Sequence, residues 1–175
     1  MENWALHPEV LKKYAKHYQT GEVIPIELVE KIKNSSKFNQ GFATTEYLAA
    51  SFLDMDWHTI TEPVSIDANT FEKNSMNKIG LIPEIKPRYR STYFNHIFAG
   101  GYSSGYYSYI WAEVLDADAF AAFEKTGDVF NPELAGKLRK YILSSGGTED
   151  AMELYKKFRG SEPGIEPLLK RRGLD

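Results

Sequence analysis

The sequence predicts an all-α protein, an array of about seven to nine helices with little or no β-structure. Three observations carry that expectation. Apolar residues recur at helical spacing in several separate windows, as in Val10, Leu11, Tyr14 and Tyr18. Capping residues and Pro or Gly punctuate the chain at helix-length intervals. No stretch sustains the period-2 alternation of a half-buried strand. With 175 residues, 42% of them hydrophobic, the chain is expected to bury one core as a single helical domain over residues 1–175.

The first helix is predicted over Pro8–Tyr18, with proline in its opening turn and Gly21 as the stop. Pro25 opens a second, with Ile26, Val29 and Ile32 inward and Asn34, Ser35 and Ser36 as its end. A third runs from about Asn39 to Ile60, with apolar contacts from Phe42, Leu48, Phe52, Met55 and Ile60 and close packing allowed by Ala43, Ala49 and Ala50, until Pro63 stops it. Asp67 caps a short helix through Lys78, closed by Gly80. Leu81 to Tyr93 is an extended ordered loop. A tyrosine-bearing helix is predicted over about Ser103–Leu115, and Asp116 or Asp118 caps another that ends near Gly127. Asn131 and Pro132 start a helix to Leu143, Thr148 caps one from Glu149 to Phe158, and Ile165–Arg171 is the last.

Composition narrows the function. A net charge of −3 gives no case for a nucleic-acid partner, and no apolar run approaches the ~20 residues of a membrane span. The absence of cysteine excludes disulfides and thiolate metal sites. It fits a cytoplasmic protein, although periplasmic proteins can also lack cysteine. The first residues, Met-Glu-Asn-Trp, do not read as a signal peptide, although a fragment's start would carry no information about export.

The chemistry concentrates in residues 96–111, His-Ile-Phe-Ala-Gly-Gly-Tyr-Ser-Ser-Gly-Tyr-Tyr-Ser-Tyr-Ile-Trp. Tyr102, Tyr106 and Tyr109 stand at i, i+4 and i+7, which on a helix confines three phenols to an arc of roughly 60°. Each buried hydroxyl needs a partner. Three beside a Gly100–Gly101 pair and the His96 imidazole suggest the wall of a polar cleft. By spacing alone, a buried aromatic helix fits as well.

This stretch resembles the late active-site segment of the thimet oligopeptidase and peptidyl-dipeptidase family of zinc metallopeptidases, the oligopeptidase A-like enzymes among them. So do Pro87-Arg88-Tyr89-Arg90-Ser91-Thr92-Tyr93-Phe94, Glu2-Asn3-Trp4-Ala5, His7-Pro8-Glu9-Val10, Phe38-Asn39-Gln40-Gly41-Phe42, Leu53-Asp54-Met55 and Arg171-Arg172-Gly173-Leu174. The motifs occur in the family's order over essentially the whole chain. One departure matters. The family's zinc site uses a His-Glu-x-x-His helix and a later Glu. This sequence has histidines only at 7, 17, 58 and 96, no two of them four apart. Family members are also several times longer.

The resemblance therefore implies the C-terminal portion of a peptidase catalytic domain, without the metal site and inactive alone. Zinc is expected in the full-length parent and none in this fragment. By resemblance, Tyr109 and Tyr102 are the phenol donors to a reacting peptide, and His96 binds substrate backbone or carbonyl. Tyr106, Gly100 and Gly101 line the substrate. Arg88 and Arg90 are candidates for a substrate's terminal carboxylate, which guanidinium forks pair bidentately, and equally for a salt bridge within the protein. Asp54 and His58 share a helical face, where a hydrogen-bonded pair is commoner than a metal site. The implied partners are short peptides and the missing N-terminal part. Apolar faces left bare by that part predict a dimer or larger assembly. A second reading is a non-catalytic helical module that binds peptides or proteins.

Overall fold

The computed structural model describes residues 2–174. Among them are ten α-helices and no strand or sheet, with 60% of the chain helical. The helices are α1 Glu2–Ala5, α2 Pro8–Tyr14, α3 Ile26–Ser35, α4 Gln40–His58, α5 Ala68–Lys78, α6 Asn95–Phe98, α7 Ser108–Lys125, α8 Pro132–Leu138, α9 Ala151–Arg159 and α10 Glu166–Arg172. A 3₁₀ turn lies at Ser91–Tyr93 and a π turn at Arg139–Leu143. Among the described residues, no helix is long and apolar enough to cross a membrane. The chain divides into two compact units, one of residues 1–38 and 113–175, the other of residues 39–112.

The two-segment unit is built on an aromatic core. Phe123, Tyr155 and Phe158 are buried, with Trp4, Leu115, Leu134 and Ile142 packed against them. The Trp4 ring meets Phe120 and Phe123 edge-on at 4.7 and 5.0 Å, and its indole N–H donates to the Val129 carbonyl at 2.7 Å. Asp118 is the polar centre of this core. It accepts from the Tyr155 hydroxyl at 2.7 Å and from Arg159 Nε at 2.9 Å. Burial pushes the Tyr155 phenol upward, and the hydrogen bond to Asp118 adds to that.

These contacts overturn one expected boundary. Neither Asp116 nor Asp118 caps a helix, because α7 runs through both without a break. Asp118 is held by Arg159 and Tyr155, and Asp116 accepts from Asn3 and Arg171. At the end of α10, Arg172 donates to Glu113 at 2.7 Å.

Other boundaries shift for local reasons. The first long helix stops at Tyr14, not Tyr18. The chain then folds back through a Lys16–Val23 antiparallel bridge, with Gly21 at φ +73° in the turn. Tyr14 and Tyr18 consequently stay exposed. On α3 only Val29 is buried, and Ile26 and Ile32 are exposed. Asp150, not Thr148, caps α9, accepting from Met152 and Glu153 N–H. The Asp67 cap of α5 stands as expected.

The single-segment unit is organised by α4. Ala49 and Leu53 pack with Met76 of α5, and Ala50 packs with Phe94, Ile97 and Tyr106. Trp57 stacks on Phe71 at 3.7 Å and donates to the Ser91 hydroxyl at 2.9 Å. The buried residues of α4 are Ala49, Ala50, Ser51, Leu53 and Asp54, with Tyr47 and Trp57 partly buried against the same clusters. Phe42, Phe52, Met55 and Ile60, expected to supply inward contacts, are exposed.

Candidate active-site loop

All of the candidate residues fall in the unit of residues 39–112. The predicted tyrosine helix does not form as expected. Helix α7 begins at Ser108, so only Tyr109 is helical, and residues 99–107 are consecutive turns. Three local facts explain this. Gly101 sits at φ +82° and Ser104 at φ +54°, both outside helical geometry. Gly100 packs so tightly on α6 that a Cβ there would lie 2.8 Å from the His96 carbonyl oxygen. Its N–H donates to the Asn95 carbonyl at 2.8 Å, and the Tyr102 N–H to that of His96 at 3.0 Å. Gly100 therefore serves the turn. Gly100 itself is exposed at that turn.

The turns nevertheless bring the aromatic candidates together. Tyr102 and Tyr109 stack at 5.3 Å with 21° between their planes. The His96 ring lies 6.0 Å from Tyr102 and 4.8 Å from Tyr89. Tyr102 and Tyr109 are 37% and 39% exposed. A hydrogen bond between their hydroxyls raises the Tyr109 phenol above its ordinary value, with burial adding to it. The Tyr109 phenol therefore keeps its proton at neutral pH. In such a pair one hydroxyl donates to the other, and the second keeps its proton for a ligand.

Tyr106 is placed differently from the sequence expectation. It is 3% exposed, edge-on to Phe94 at 4.9 Å and to Tyr109 at 5.3 Å. It supports the phenol pair from within the core and does not line the surface beside it. Burial pushes its phenol up to about 12. The ordinary value near 10 then applies to the unfolded chain, so the neutral ring stabilises the fold fully below pH ~10 and loses that contribution as pH rises toward ~12. Tyr106→Phe should remove ~1 kcal/mol of the stability lost between pH 8 and pH 11. Urea unfolding at the two pH values measures it, and an equal loss in both proteins would refute the assignment.

The two arginines separate. Arg90 forms an ion pair with Glu72, a buried α5 carboxylate that also accepts the Ser91 N–H at 2.8 Å. It binds the 87–93 loop to α5, the salt bridge within the protein that the sequence also allowed. Arg88 is exposed, with its guanidinium carbon 6.0 Å from the Tyr89 ring centroid and its N–H donated to the Glu46 carbonyl at 3.1 Å.

Two positions were not anticipated as parts of the site. The Tyr47 hydroxyl donates to the Tyr106 carbonyl at 2.8 Å and accepts the Ile110 N–H at 3.1 Å. Asp54 is fully buried and accepts the N–H groups of Ser104 at 3.0 Å and Tyr106 at 2.9 Å. The helical face shared by Asp54 and His58 announced their pair, found at 2.8 Å, without its link to a loop fifty residues on. Asp56 pairs with Lys78 at 3.0 Å. Among the described residues no group of three or more His, Cys, Asp or Glu side chains could hold a metal.

Peptidase family M3 matches residues 1–174. The chain is 43% identical over 176 residues to a dipeptidyl carboxypeptidase of Escherichia coli K12, with 99% of this chain and 26% of that protein aligned. It is 42% identical to the dipeptidyl carboxypeptidase of Salmonella typhimurium and 38% to oligopeptidase A of E. coli, with the same coverage on both sides. The chain spans about a quarter of the length of these relatives. It belongs to peptidase family M3.

Proposed function

We propose that this chain is a C-terminal part of a zinc-dependent oligopeptidase that hydrolyses short peptides, releasing C-terminal dipeptides. It supplies one wall of the substrate cleft. The supporting observation is the stacked, partly exposed Tyr102–Tyr109 pair beside His96, in a chain whose relatives are peptidases.

When a peptide carbonyl is attacked, its oxygen gains negative charge as the carbon becomes tetrahedral. A phenol hydrogen-bonds that oxygen while keeping its own proton, because the raised Tyr109 value holds it neutral. Tyr102, bonded to Tyr109, shares the work. His96 binds a neighbouring substrate carbonyl or backbone group. Gly101, exposed in its left-handed turn, lets the backbone approach the peptide without a side chain between them. Arg88, exposed beside this wall in sequence and not engaged as Arg90 is, takes the terminal carboxylate.

On this reading the metal site and the rest of the cleft belong to the remaining portion of the parent. The test is complementation. The 175-residue chain incubated with short peptides should release no dipeptide, with or without added zinc. Mixing it with the separately expressed remainder of the parent should restore release. Hydrolysis by this chain alone would overturn the reading.

A further inference from the structure

Asp54 is the one charged residue among the largest fully buried side chains. Such burial needs a reason, because an aliphatic residue fills a helix interface without the cost of removing a carboxylate from water. What the carboxylate adds is two acceptors at fixed spacing. Oδ1 takes the Ser104 N–H at 3.0 Å and lies 2.8 Å from His58 Nδ1. Oδ2 takes the Tyr106 N–H at 2.9 Å. The two amides flank Gly105, in the turn that Ser104 enters at φ +54°, a conformation non-glycine residues hold only when their surroundings impose it. Tyr102 stands two residues before this clamp and Tyr109 three residues after it. Its geometry therefore sets where the two phenols meet.

We infer that Asp54 is a positioning residue for the tyrosine pair: it holds the 104–106 turn from below, and His58 orients its carboxylate. Tyr47 completes the support by donating its hydroxyl to the Tyr106 carbonyl, on the peptide unit after the one whose N–H Asp54 holds. The kinetic part of this inference rests on the proposed substrate role of Tyr102 and Tyr109, whereas the clamp itself does not.

Two measurements test it. The first is amide hydrogen exchange in the 175-residue chain, comparing wild type, Asp54→Asn and Asp54→Ala. Ser104 and Tyr106 should exchange ~10- to 100-fold faster in Asp54→Ala and less so in Asp54→Asn, which keeps one acceptor. Amides of α9 should stay unchanged. Unaltered exchange at Ser104 and Tyr106 overturns the clamp. Should Asp54→Ala fail to fold, the isosteric Asp54→Asn carries the comparison.

The second is a kinetic double-mutant cycle in the intact peptidase. Asp54→Asn should lower kcat ~10-fold with KM within ~2-fold, and should cost under ~3-fold once Tyr109→Phe is present. A residue that acts only on stability would give independent, multiplying losses, and that result overturns the positioning role. If Tyr109→Phe alone leaves kcat unchanged while exchange at Ser104 and Tyr106 quickens, the substrate reading fails and the clamp stands.

Discussion

Tyr109→Phe in the intact peptidase should lower kcat ~10²- to 10³-fold while leaving KM nearly unchanged. The substitution removes one oxygen and keeps the ring, so the 5.3 Å stack on Tyr102 and the edge contact with Tyr106 remain. A hydrogen bond made chiefly to the charged oxygen of the tetrahedral state affects kcat, because the uncharged substrate gains little from it. Tyr102→Phe should act in the same direction by a smaller factor if its hydroxyl serves partly to hold that of Tyr109. Steady-state kinetics of dipeptide release reads both. Unchanged turnover in both variants would reduce the pair to packing. Protein stability should barely move in either, since both rings are more than a third exposed.

The opposite pattern is expected at Phe94. Phe94→Ala should destabilise the protein by ~3–5 kcal/mol, through lost apolar burial plus the cavity left behind. Phe94 is 1% exposed and stacks on Tyr89 at 5.2 Å, with the Tyr106 ring edge-on at 4.9 Å. It therefore supports Tyr89 and Tyr106, the rings on which His96 and Tyr109 rest. Urea unfolding measures the loss. Phe94→Leu, which retains most of the apolar volume, should recover more than half of it. A cost below ~1 kcal/mol for alanine would mean that the turns hold the aromatic cluster without this ring.

Fold class was legible because helix signals are local. Asp67 and the Asn131–Pro132 pair mark helix starts through contacts within three residues, and each stands where the sequence places it. Failures occur where a distant partner outweighs the local signal. Asp116 and Asp118 have the character of caps, yet Arg171 and Arg159 engage them from elsewhere in the chain, and α7 continues. On α4 the close packing expected at Ala49 and Ala50 is found, whereas Phe42, Phe52 and Met55, expected to supply contacts, lie outside.

The site was legible in part, for the same reason. Spacing placed Tyr102, Tyr106 and Tyr109 on one helical face, but Gly101 and Ser104 at positive φ make a turn of the segment. Tyr102 and Tyr109 meet across that turn, and Tyr106 goes into the core. The residues that hold this arrangement, Asp54 and Tyr47, lie more than forty residues away, and no periodicity links them to the loop.

The central claim is that the phenols favour the tetrahedral form of the substrate over its planar form. A phosphinic peptide, whose tetrahedral anion imitates the former, tests it directly when bound to the intact peptidase and to Tyr109→Phe. The account predicts a Kd for the phosphinate weakened ~10²- to 10³-fold, with the Kd of the matching uncleaved planar peptide changed less than ~3-fold. Equal weakening of both, or of neither, would contradict it.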